Sequence, residues 1–180
     1  HWESTLNLST ECRLTVKEGM DILRKWTENE RLDPIEAEKI VRRFAYSPVP
    51  IAQAGRYLFK TKEPINKYLP LFERNKQEIL KQGTLSGNID VVVSLKIAIA
   101  EIKKVEPEAV KLLYCCTLLP AKNIPKDLLV KLFNLDRGKL NHCLLLLDSL
   151  LLRDAESVSL HDLFQEIIEE ETNKWGKYLL

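Results

Sequence analysis

The sequence predicts a mainly α chain, with a small helical bundle followed by a winged-helix domain that carries one β-hairpin. Three observations carry this expectation. Helix-start signals recur, as in Thr15-Val16-Lys17-Glu18 and Asp33-Pro34-Ile35-Glu36, where a cap and an early acid serve amides that a helix leaves unpaired. Apolar residues fall at helical spacing through most of the length. Only near the end does the period shorten. Leu150 to Arg153, a turn at Asp154-Ala155-Glu156, and Ser157 to Leu160 read as a β-hairpin, the wing.

A short extended stretch around Leu6 to Leu8 opens the sequence without a start methionine. It fits the end of an upstream nucleotide-binding domain or linker over residues 1–14, whose strand partners lie before it. The first helix follows Thr15, with Val16, Met20, Leu23 and Trp26 on one face. The second follows Asp33, with proline at its first position and Ala37, Ile40, Val41 and Phe44 as its buried stripe. In Ser47-Pro48-Val49-Pro50-Ile51-Ala52-Gln53-Ala54-Gly55 two prolines stiffen a loop before a small-residue helix that runs to about Lys60. Another helix spans roughly 65–81, with Ile65, Tyr68, Leu69 and Phe72 on one face and Pro70 expected to bend or interrupt it. Residues 15–82 are thus a helical domain.

Gln82 to Asn88, carrying Gly83 and Gly87, reads as a linker. Residues 83–104 combine it with a connecting helix, whose Val92, Leu95, Ile99 and Ile102 share a face. The winged-helix domain takes residues 105–180. Pro107 starts a helix that is apolar on nearly all sides, through Ala109, Val110, Leu112, Leu113 and Cys116, and is therefore buried. Ile124-Pro125 opens a short helix with Leu128, Leu129, Leu132 and Phe133, and Arg137 to Ser149 gives a third. After the wing, a final helix begins at Asp162 with Leu163, Phe164, Ile167 and Ile168.

Composition narrows the function classes. The 180 residues are 45% hydrophobic, enough for a real core. With 27 basic and 26 acidic residues, the formal charge of +1 gives no general reason to expect nucleic acid or membrane partners. Leu144 to Leu152 contains Asp148 and is too short to span a bilayer. The chain opens on the polar His1-Trp2-Glu3 with no apolar run behind it, so no signal peptide is expected. Cys12, Cys115, Cys116 and Cys143 contain no CxxC spacing, and the adjacent pair cannot bridge without strain. In leucine-rich surroundings, three of the four are expected to be small buried apolar residues rather than metal ligands. A reduced, cytoplasmic protein follows.

Two local motifs and the order of elements resemble the STAND class of signalling NTPases, in particular the NB-ARC arrangement of a P-loop domain, a small helical domain and a winged helix. Val49-Pro50-Ile51-Ala52, followed by Gln53-Ala54-Gly55, is similar to that family's Gly-x-Pro segment, with Pro48 standing where the family usually has glycine. The resemblance implies that Pro50 packs beside the adenine of a bound nucleotide. Leu160-His161-Asp162 matches the Met-His-Asp signature with leucine for methionine. By resemblance His161 contacts the β-phosphate of ADP and holds a closed, inactive form. Physically, a histidine near a helix's amino end shares a place that attracts phosphate, and Asp162 caps the helix and orients the ring. A softer likeness runs from Ala109 through Leu118-Leu119-Pro120 to Ile124-Pro125, and Trp2 resembles the residue just beyond the P-loop domain's sensor strand. The resemblance covers nearly the whole chain.

No G-x-x-x-x-G-K-[ST] run exists among the six glycines, so nothing cradles phosphates in the P-loop manner. The expected function is therefore the regulatory portion of an ADP/ATP-dependent switch. ATP hydrolysis, if slow turnover occurs, belongs to upstream sequence. Adjacent His161 and Asp162 diverge on a helix and make no nucleophile's base-and-orienter pair, and His142-Cys143 has the same defect. The implied partners are an upstream P-loop domain, a downstream repeat or effector domain and other copies of the active parent.

Two alternatives stand beside this. One is a DNA-binding winged helix that offers Arg137, Lys139, Asn141 and His142 to a major groove, with Asp154 and Glu156 in the wing opposing phosphate. The other is a protein-interaction scaffold using Lys62, Lys67, Arg74, Lys76 and Lys81 or the tail from Trp175 to Leu180.

Overall fold

The computed structural model describes residues 14–29, 32–81, 88–148, 150–160, 164–165 and 167–168. The backbone divides into two compact units, His1–Ala98 and Ile99–Leu180.

The first unit holds α1 (Val16–Thr27), α2 (Pro34–Arg43), α3 (Pro48–Thr61), a 3-10 turn (Ile65–Lys67), α4 (Tyr68–Lys81) and the first part of α5 (Ile89–Val105). Thr15 closes the expected capping box. Its hydroxyl accepts the Glu18 amide at 3.3 Å, and the Glu18 carboxylate accepts the Thr15 amide at 2.7 Å, an arrangement worth about 1 kcal/mol. Asp33 caps α2 by accepting from the Ile35 and Glu36 amides.

The buried seam of α1 is Gly19, Leu23 and Thr27, spaced four apart on one face. Val16, Met20 and Trp26, expected on that face, flank it half-buried. Glycine moves the seam because it lets helices touch. A Cβ on Gly19 would lie 2.6 Å from Val41 Cγ1, and one on Gly55 would lie 2.7 Å from Trp26 Cβ. The same core takes in Leu23, Ile40, Ile51 and an aromatic group. Phe44 meets Phe72 edge-on at 4.8 Å between centroids and Tyr68 at 6.3 Å, geometries that favour ring pairs beyond simple burial. Val93 and Ile97 of α5 join the same core.

A charged group lies beside the rings. The Arg43 guanidinium sits 5.1 Å from the Phe72 centroid, pairs with Glu73, and reaches Asp90 at 3.1 Å. Lys76 meets Asp90 at 2.8 Å. These bonds join α2 and α4 to the foot of α5.

Both prolines ahead of α3 prove to be inside it, as its first and third residues, where their missing amides would have had no helical partner. Pro70 does not break α4, for the same reason. It is the third residue of that helix, and the change in winding falls earlier, at the 3-10 turn. Val91 to Leu95 of α5 are all buried, where one face had been expected, and Ile99 is only half-buried.

The second unit runs α6 (Pro107–Thr117), β1 (Ile124–Pro125), α7 (Lys126–Phe133), α8 (Arg137–Leu146), β2 (Leu151–Arg153) and β3 (Ser157–Leu160). The antiparallel sheet has the order β1-β3-β2, so this unit is winged-helix-like. β2 and β3 form the expected wing, with Leu151 opposite Leu160 and Arg153 opposite Val158. β1, read from sequence as the opening of a helix, pairs Ile124 with Val158. Two residues are too few for a strand period to register in sequence. Its Pro125 stands on the sheet edge, where proline is tolerated. Leu112, Leu113, Cys116, Leu129, Leu140, Cys143 and Leu144 build the core. Leu128 and Leu132 were grouped with Leu129 in the apolar set of α7, but they point to solvent, 38% and 55% exposed. Phe164, Gln165, Ile167 and Ile168 are helical, with the three apolar ones buried. The start of the final helix at Asp162 lies outside the described residues.

Gly55→Ala should destabilise the chain by about 1–3 kcal/mol, because the new methyl meets a Trp26 Cβ that no rotamer change can move. Tyr68→Phe should be neutral or slightly stabilising, since the buried hydroxyl has no hydrogen-bond partner. Urea unfolding followed by helical circular dichroism checks both, and a costly Tyr68→Phe would reveal a missed partner.

Burial pushes the Asp90 carboxyl up, but hydrogen bonds from Lys76 and Arg43 outweigh it and hold the group below its ordinary range. A depressed carboxylate stabilises fully above its unfolded value near pH 4 and loses that contribution as pH falls through the folded value. Asp90→Asn should therefore cost about 1 kcal/mol at pH 7 and flatten the loss of stability below about pH 4. Urea midpoints measured from pH 7 to pH 2.5 check this.

Candidate functional site

The proline segment leaves α2 through a tight elbow. Ala45 and Tyr46 both have positive φ, 49° and 66°, in a region that L-residues other than glycine, asparagine and aspartate rarely occupy. The turn satisfies its own amides: Ala45 donates to Arg42 O, Tyr46 to Val41 O and Ser47 to Phe44 O. Pro48 and Pro50 follow, both buried. The ring that the resemblance sets beside adenine is thus covered within the first unit. Gln53, Ala54 and Gly55 of the same motif are buried as well, and Gly55 is explained by the approach of Trp26.

The second motif follows β3. Leu160 is 1% exposed, and its amide donates to Ala121 O at 2.7 Å, while the Asn123 amide donates to Ser159 Oγ at 3.0 Å. The loop after α6 and the end of β3 are therefore held together, which joins the second resemblance to the third. His161 and Asp162 lie outside the described residues. Pro50 belongs to the first unit and Leu160 to the second.

The face proposed for DNA is electrostatically occupied. Arg137 meets Asp127 at 2.7 Å, and Lys139 pairs with Glu106. Each partner holds the other charged: the Lys139 hydrogen bond pulls the Glu106 carboxyl down, and Glu106 pushes the Lys139 amine up. At the wing tip Asp154 accepts from the Ser157 hydroxyl and from the Ser157 and Glu156 amides, which hold its carboxyl low. Lys126 folds over that tip and donates to the carbonyls of Asp154 and Ala155. Leu145 stands 60% exposed on α8, beside exposed Asn141 and His142.

Of the expected buried thiols, Cys116 and Cys143 are buried and Cys115 only partly so. Adjacent residues on a helix point about 100° apart, so both cannot face one core. Burial, with Cys115 next to it, pushes the Cys116 thiol up to about 12. No group of His, Cys, Asp and Glu with metal-binding geometry occurs among the described residues, nor is any helix among them long and apolar enough to cross a membrane.

Three features had no separate reading in sequence: the α1 glycine contact, the Arg43–Glu73–Asp90–Lys76 group and the Lys126 cover on the wing. Gly19 lies four before Leu23, which was the only signal for the first. The other two join residues far apart in the chain. Comparison with known protein families gives no match, and comparison with curated proteins gives none either.

Duplex DNA should bind this chain without a steep salt dependence, because the candidate contact cations already have acidic partners and the wing is acidic. Fluorescence anisotropy across a salt series checks this. Tight binding at physiological salt with a steep slope would restore the DNA reading.

Proposed function

We propose that this chain is the regulatory part of an ADP/ATP-dependent signalling switch and closes over nucleotide bound by a P-loop domain that these 180 residues do not contain. The observation that supports it best is the setting of Leu160-His161-Asp162. The central strand of the sheet ends at Leu160, a residue fixed by burial and by its bond to Ala121. The chain is helical again by Phe164. A histidine and an aspartate between an anchored strand and a helix suit phosphate contact and capping. The paired cations of α8 and the acidic wing favour this over DNA binding. In this reading the adenine lies near Pro50, and other domains or further copies of the parent receive the signal.

In a parent protein that carries the phosphate-binding domain, His161→Ala should remove one charge-assisted contact, worth on the order of 1.5–3 kcal/mol. That shifts the equilibrium roughly tenfold to hundredfold away from the ADP-bound closed form. Asp162→Val should act in the same direction. ADP retention during gel filtration of the parent checks both, and full retention in the two variants would defeat the nucleotide reading. The 180-residue chain itself should keep its thermal midpoint in His161→Ala, since the lost contact is to nucleotide, whereas Asp162→Val should lower it by about 2–4 °C through loss of the cap.

A further inference from the structure

Arg24, Lys39, Arg42, Arg43 and Lys76 of the first unit each reach a carboxylate within 3.1 Å. One face of α1 and α3 is built differently, with cations standing over rings. Arg56 Cζ lies 3.7 Å from the centroid of the Trp26 ring, and Lys25 Nζ lies 5.8 Å from it. Lys62 Nζ lies 3.9 Å from the Phe59 centroid. The helix packing sets this up, because Gly55 admits the Cβ of Trp26 against α3. Arg56, Phe59 and Lys60 then share one side of α3, three and four residues apart. Trp26 and Phe59 are half-buried, while Lys25, Lys60 and Lys62 are exposed.

We propose that this face docks an acidic segment of a partner protein, with carboxylates on the cations and an apolar side chain on the open edges of Trp26 and Phe59. At stacking distance a planar guanidinium lies flat on its ring, and it grips a carboxylate through its N–H rim rather than through that flat face. Stacking also holds the Arg56 side chain before a partner arrives, so docking costs little of its freedom. Aromatic residues and arginine are the types that interface centres concentrate. Nucleic acid fits worse. Bases stack on open ring faces, and here Arg56 and Lys62 stand over them. Glu28, two residues after Trp26, and Glu63, next to Lys62, are exposed and oppose a continuous row of phosphates. Spaced carboxylates meet no such obstacle. The proposal goes beyond the nucleotide switch and needs no nucleotide, so it is tested on the 180-residue chain alone.

The chain, isotope-labelled for NMR, is titrated with a synthetic helical peptide of Glu, Leu and Ala. The Trp26 indole signal and the amide signals of Arg56, Phe59 and Lys62 should move together. Added salt should weaken the effect, because the charges are exposed. Arg56→Gln should weaken binding about tenfold, the worth of one charge-assisted bond. Arg56→Lys keeps the charge without the fork and should recover only part of that loss. Lys131→Gln, at an exposed cation of the second unit, should leave binding unchanged. Circular dichroism of each variant separates lost binding from lost structure. No shift at these signals with peptide up to about 1 mM would overturn the proposal, as would equal weakening by Arg56→Gln and Lys131→Gln. A peptide with Gln in place of every Glu that binds as well would overturn the charge matching. Tighter binding of oligothymidylate than of the peptide, at the same signals, would make the face a nucleic-acid site instead.

Discussion

α1 can lie against both α2 and α3 because Gly19 and Gly55 carry no side chain where the helices meet. The rest of the first unit depends on that approach. It brings Leu23 into complete burial beside Ile40, Val41 and Ile51, each worth about 1.5–3 kcal/mol when removed from water. Phe44, Tyr68 and Phe72 belong to the same core, Phe44 meeting each of the other two edge-on. Glycine inside a helix costs roughly 0.5–1 kcal/mol in chain entropy relative to alanine. At both positions a Cβ would press into a packed neighbour, Val41 or Trp26, which costs more than the entropy it saves.

Much of this was legible in sequence, and the reasons differ by element. The caps at Thr15 and Asp33 are local chemistry, complete within four residues, so they read directly. The wing was legible because a change of period over ten residues is hard to mistake. β1 escaped because its pairing is made by Val158, more than thirty residues away. The seam of α1 was displaced because a hydrophobic stripe marks side chains, whereas Gly19 packs by lacking one. Leu128 and Leu132 looked like core because composition cannot say which side of a short helix is covered. At the candidate site, the Leu-His-Asp motif was visible as a tripeptide after the wing. The anchoring of its leucine by Ala121 was not visible, being a backbone bond across a loop.

Charge in this protein is spent largely on its own architecture. Arg43, Lys76 and Asp90 fasten helices in the first unit, and Lys139 and Lys126 tie elements together in the second, while the Arg137–Asp127 pair stays exposed. A near-neutral balance of 27 basic and 26 acidic residues thus hides a set of specific internal pairings. Such partly buried pairs count less for total stability than for which arrangement is populated, because breaking one strands its partner.

α5 runs as one unbroken helix from Ile89 to Val105, yet its residues divide between two compact units at Ala98. Helix formation is cooperative along the chain, so order at one end propagates toward the other. Neither unit has a clean edge for dissection. A fragment that stops before α5 forfeits Val93 and Ile97 from its core and the carboxylate that Arg43 and Lys76 share. One that starts at α5 carries Val93 and Ile97 away from the residues they pack with. Expression boundaries drawn before α5 would leave an unfilled slot in the first unit's core where Val93 and Ile97 belong.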